Sequence, residues 1–153
     1  MPEKGMVPEK EMVPEPTRQD YQRLLAFRIG LREFQHWSEA QAHEAGLTHV
    51  QHQLLVAVKG HPGDQPPAVG DLAGYLLLRP HSAVELVNRT AAAGFVRRVA
   101  DPADGRVVRV ALTARGERCL AELTPAHLRE LNGLARTLNA LLDEPAESAG
   151  DSG

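Results

Sequence analysis

The chain has 153 residues, 42% of them hydrophobic, which is enough for one buried core and too little for two full domains. Its formal charge of −3 gives no global sign of a polyanionic partner, yet seven arginines stand against three acids over residues 79–115, while residues 1–20 carry two more acids than cations. A single cysteine, Cys119, excludes an internal disulfide framework, no apolar run nears the ~20 residues of a membrane helix, and MPEKGMVPEK lacks the apolar core of a secretion signal, so a cytoplasmic location without membrane contact is expected.

Residues 1–17 repeat a short unit, as in MVPEKEMVPEP, and are expected to form a disordered Pro/Glu-rich arm. Over 18–45, Leu24, Phe27, Leu31, Phe34 and Trp37 recur at three- and four-residue spacing, the signature of one helix face, and Gly46 ends the pattern. Thr48 and Gln51 form a capping-box start for a second helix to Lys59, with Leu54, Leu55 and Val58 as its apolar stripe. After a loop at 60–67, a third short helix holds Leu72, Ala73 and Leu76, and a fourth starts at Pro80 and ends near Gly94.

Two β-branched strands follow, at 96–100 and 107–112, joined by the turn DPADGR with an arginine at its tip. Beyond them, Thr113 caps a helix to Leu123, and Thr124 with Pro125 restarts another to about Asp143. The tail, 144–153, is polar and expected to be disordered. Two short helices followed by a ribbon give the order of a winged helix-turn-helix. The expected fold is mainly α with a small β-hairpin wing: one domain over 18–143, with a DNA-binding lobe at 46–112 between dimerisation helices at 18–45 and 113–143. The apolar surplus of those flanking helices points to a homodimer.

Over 72–116, LAGYLLLRPHSAVELVNRTAAAGFVRRVADPADGRVVRVALTARG, the chain resembles the MarR family of bacterial winged-helix regulators. Leu112, Thr113 and Gly116 match the family's Leu-Thr-x-x-Gly, and Asp101, Asp104 and Arg106 match its wing. Leu77 stands where the family often has glycine, and Thr90 where leucine is usual. The resemblance covers about 21–142 and implies a dimeric regulator, a repressor on a pseudo-palindromic duplex, with the helix from Pro80 in the major groove and the wing, 101–106, in the minor groove. It implies base contacts by His81, Ser82, Glu85 and Arg89, phosphate contact by Arg79, and an Asp104 that shapes the wing for Arg106, with Arg109 as a weaker contact. Glu85 can instead pair with Arg89 one turn on.

The resemblance also implies a small-molecule effector, often an aromatic acid, held between the dimer helices and the DNA lobe. Arg28, Arg32, Trp37 and His52 are candidates for that pocket; the alternative is a solvated arginine face with Trp37 as ordinary core. His36, Glu39 and His43 share one helix face and offer a metal-sensing alternative. Cys119, near Arg115 and Arg118, offers a redox-sensing one if those cations depress its pKa. No phosphate-cradling glycine loop, nucleophile elbow or H-E-x-x-H is present, so no enzyme, cofactor or resident metal is expected. A winged helix used only for protein contacts is a further alternative, against which Arg106 speaks.

Overall fold

The computed structural model describes residues 14–143; the arm at 1–13 and the tail at 144–153, both expected to be disordered, lie outside the described residues. Five helices and one hairpin make up the fold: α1 Arg18–Glu44, α2 His49–Gly60, α3 Val69–Leu76, α4 Pro80–Ala92, β1 Val96–Ala100, β2 Val108–Leu112 and α5 Ala114–Leu142. Thr17 and Thr48 both make capping boxes, with Asp20 and Gln51, so α1 and α2 begin where side chains satisfy their free amides.

The ends of α1, α3 and α4 share one device. At Gly46 and Gly94 the backbone turns left-handed, φ 84° and 87°. The following amide then folds back five residues, Leu47 onto the Ala42 carbonyl at 2.9 Å and Phe95 onto that of Thr90 at 3.2 Å. Leu47 and Phe95 are driven into the core by the same turn. α3 ends likewise, with the Leu78 amide on the Ala73 carbonyl at 2.9 Å, but there the left-handed residue is Leu77.

The core is formed where α2, α3, α4 and the hairpin meet, around Leu54, Leu55, Leu72, Leu86, Val87, Phe95 and Val110. Leu120 and Leu123 of α5 and Ala42 of α1 close it from the other side. β1 and β2 pair antiparallel from Val96 opposite Leu112 to Ala100 opposite Val108. The second strand starts at Val108, one residue later than expected, because the Val107 amide turns back to the Asp104 carbonyl at 3.1 Å and belongs to the loop. Ala68 adds a bridge to Arg109 on the free side of β2.

Thr113 fastens the hairpin to α5. Its hydroxyl donates to the Gly94 carbonyl at 2.6 Å and accepts from the Gly116 amide at 3.1 Å. A Cβ on Gly116 would run into the Phe95 carbonyl oxygen, which explains the glycine three residues after the threonine.

One expectation is corrected here. No break separates two closing helices: α5 runs unbroken through Pro125. Pro125 lacks the amide that Ala121 would receive, and near it side chains bond to carbonyls one turn back, the Thr124 hydroxyl donating to Leu120 at 2.6 Å and His127 Nδ1 to Leu123 at 2.7 Å. The far end of α5 lies against the start of α1, where Arg23 donates from Nε to the Leu141 carbonyl at 2.9 Å and from Nη2 to that of Leu142 at 3.1 Å. Those carbonyls have no partner within the helix, so Arg23 serves as their cap. No helix among the described residues is long and apolar enough to cross a membrane.

Candidate nucleic-acid interface

α4 begins at Pro80, whose fixed φ and missing amide suit a first helical turn, and Arg79 precedes it as N-cap. Its apolar stripe, Ala83, Leu86 and Val87, is buried, and Thr90 joins it, completely enclosed with its hydroxyl donating to the Leu86 carbonyl at 2.7 Å. Threonine in place of leucine therefore carries no unsatisfied polar atom into the core. The opposite face presents Arg79, His81, Glu85 and Arg89 to solvent, with Ser82 half-buried at its edge. The ion pairs found among the described residues do not include Glu85 with Arg89, so neither charge is committed to the other.

The wing loop is organised by two aspartates. Asp104 Oδ1 accepts from the Arg106 amide at 3.0 Å and from its Nε at 3.2 Å, an exposed pair that holds the guanidinium near its own backbone. The Arg106 side chain is still 92% exposed. Asp101 Oδ1 accepts from the amides of Ala103 at 2.7 Å and Asp104 at 3.0 Å, a compact Asx turn. Its Oδ2 receives Arg109 Nε at 2.6 Å. The hydrogen bond from Arg109, with help from the two amides, holds the Asp101 carboxyl below the usual carboxylate range.

Arg109, expected as the weaker DNA contact, is drawn inward instead. Besides Asp101 it donates through Nη1 to the Pro66 carbonyl at 2.7 Å, and its side chain is only 21% exposed. Arg97 and Arg98 of β1 are both exposed. Arg115 lies over the Phe95 ring, 4.4 Å from its centroid, and donates to the Ala93 carbonyl.

The effector candidates divide. Arg28 and Arg32 are exposed on α1 and do not join the other two. Trp37 and His52 are brought together by His127 of α5, a residue that sequence reasoning missed, with ring centroids 4.7 Å from His127 in each case. His127 Nδ1 donates to the Leu123 carbonyl, which leaves Nε2 to accept from the Ser38 hydroxyl at 2.8 Å. No local pattern marks this residue, because its partners lie 75 and 90 positions upstream in the chain. A cleft of about 510 Å³ lies alongside, lined by Phe34, Ser38, His52, Lys59, His127 and Leu131 among others. His49, also in its wall, has a buried Nδ1 without a hydrogen-bond partner. Burial, with the neighbouring His127 and His49 adding to it, lowers the His52 pKa from 6.5 to about 4.

The two sensor alternatives fare differently from their sequence reading. Among the described residues no three His, Cys, Asp or Glu side chains converge as a metal site, and His36, Glu39 and His43 stay spread along an exposed face of α1. The Cys119 thiol is half-buried and its pKa is raised, not depressed: burial dominates, Glu122 adds to it, and Arg115 opposes it too weakly.

The family model for the MarR family matches residues 45–107. Over 55 residues, 36% of this chain, the protein is 40% identical to an uncharacterized HTH-type transcriptional regulator, YsmB, of Bacillus subtilis, and the match spans 38% of that relative's length. Among solved structures it is similar to AbsC, a MarR family transcriptional regulator from Streptomyces coelicolor, at 21% identity and TM-score 0.67, covering 82% of this chain and 84% of that one. Sco3205 from the same organism, solved in complex with DNA, matches at 21% identity and TM-score 0.65, covering 91% and 97%. The S. aureus MepR–DNA complex matches at 18% identity and TM-score 0.63, covering 80% and 85%. The MarR family model thus falls on the lobe that carries α2, α3, α4 and β1, and the described chain shares the winged helix-turn-helix fold of these solved regulators.

Proposed function

We propose that the protein is a homodimeric, sequence-specific DNA-binding regulator, a repressor relieved by a small-molecule effector. α4 enters the major groove with His81, Ser82, Glu85 and Arg89 towards the bases, while Arg79 and the first amides of α4 meet phosphate. Arg106 enters the minor groove, where a cation gains from the concentrated negative potential, and Asp104 holds the loop that carries it. The observation that carries this reading is that the Arg106 side chain is 92% exposed on the same lobe as the polar face of α4. Two copies then read half-sites about one helical turn, ~34 Å, apart on a pseudo-palindromic duplex.

Support for the homodimer comes from apolar side chains exposed towards the ends of α1 and α5: Tyr21, Leu24, Leu25 and Leu142 are each more than half exposed in the single chain. Support for an effector comes from the cleft between those helices and α2, which combines aromatic and apolar walls with Lys59 and the His49 nitrogen.

The test uses a duplex selected from genome fragments by the wild-type protein. Arg106→Ala is expected to weaken binding and lower the salt slope by about one counterion, whereas Ser82→Ala changes base preference with the slope kept. An unchanged affinity and slope in Arg106→Ala would remove the wing from the interface.

A further inference from the structure

We infer that Arg109 is a positioning residue for DNA binding: together with Asp101 it fastens the base of the wing to the linker ahead of α3, so that Arg106 and α4 are held in one fixed relation. This inference rests on the DNA-binding reading above and deepens it. A two-stranded hairpin standing alone is marginally stable, so a wing needs attachments to keep its tip in place. The Asp101 carboxylate gathers the loop by accepting from Ala103 and Asp104, and hands its other oxygen to Arg109. Arg109 then reaches 43 positions back along the chain to the Pro66 carbonyl. Beside it the Val110 amide donates to the Pro67 carbonyl at 2.9 Å, and Ala68 bridges to Arg109.

Ala68 is the residue at which α3 begins, its amide held by the Asp71 carboxylate, and α3 packs directly on α4. The linker is thus the shared foundation of the wing and the recognition helix. The pair is enclosed, with side chains 21% and 10% exposed, unlike the solvent-facing pair of Arg106 with Asp104. A planar guanidinium can donate to Asp101 and Pro66 in two directions at once; an ammonium in its place keeps the charge and loses the fork.

The test measures affinity and salt slope of the full chain on its selected duplex for Arg109→Lys, Asp101→Asn and the double variant, with Arg106→Ala as reference. Arg109→Lys and Asp101→Asn are each expected to bind about tenfold more weakly, because a loosened wing has to be ordered on the duplex before Arg106 seats. The double variant is expected to bind no worse than either single one, as for two halves of one device. The salt slope stays at the wild-type value, since no phosphate contact is lost. Asp101→Asn is the sharper arm: removing a negative charge near DNA strengthens binding by charge alone, so weaker binding has to come from geometry. Amide exchange at Ala103 and Asp104 is expected to speed up while that of Leu54 and Leu55 stays protected, which separates a loosened wing from an unfolded lobe.

Wild-type affinity in Arg109→Lys, or a neutral or strengthening Asp101→Asn, would each overturn the positioning role. If Arg106→Ala weakens binding while these variants do not, this inference alone fails. If Arg106→Ala also leaves affinity and slope untouched, the wing is not at the DNA and the positioning role goes with it.

Discussion

Leu77 adopts φ 54° and ψ 42° with 92% of its surface exposed, so it bears the steric cost of a left-handed side chain and gains almost nothing from burial. Glycine at that position is common in the family and is the residue the turn asks for. Leu77→Gly is expected to stabilise the protein by about 0.5–1 kcal/mol, the relief of strain being partly offset by the freer unfolded chain, and a shifted urea midpoint measures it. His52 gives a second prediction at this scale. Its pKa is about 4 in the fold against 6.5 ordinarily, so between those values the unfolded state binds more protons than the native one. Its contribution is complete above pH 6.5 and is lost as pH falls towards 4. Stability followed by denaturant titration should decline across that window, and His52→Leu should flatten the decline. Cys119, in contrast to its sequence reading, has a thiol held in its unreactive form by burial.

At the scale of elements, the helix starts and ends were legible because the signals are local. Thr48 with Gln51, Pro80, Gly46 and Gly94 each act within five residues of themselves. Pro125 misled for the same reason, since a proline reads as a restart when only its own neighbours are considered. Packing of α1 against α5 and the cap that Arg23 places on the final carbonyls hold one long rod across it. The missing hydrogen bond at Ala121 remains as a cost. Pro125→Ala is therefore expected to raise stability by about 1–2 kcal/mol, less than the full penalty of an interior proline because the unfolded chain gains freedom, and a thermal melt reads it.

For the whole molecule, the core sits in the lobe, and the outer parts of α1 and α5 keep large apolar side chains in contact with water. A second copy covering that surface accounts for it most simply, and a twofold partner would also place two copies of α4 on one duplex. Sedimentation at micromolar concentration is expected to show a dimer. Leu25→Glu, which charges a side chain 59% exposed in the single chain, is expected to give monomers with unchanged helix content and weakened DNA binding.

Helical periodicity, capping residues, the Leu-Thr-x-x-Gly after the hairpin and the arginine-rich stretch around it were all readable in the linear chain, because each depends on neighbours a few positions away. The family resemblance rested on the same short-range features. What the chain order could not reveal was which of two wing arginines is free. Arg106 and Arg109 look alike in sequence, and only the folded arrangement brings Asp101 and the Pro66 carbonyl to one of them and leaves the other in solvent. The stacking of His52, His127 and Trp37 was decided in the same way. A side chain's charge and size are local properties, but its burial and its hydrogen-bond partners come from segments that meet only when the core forms.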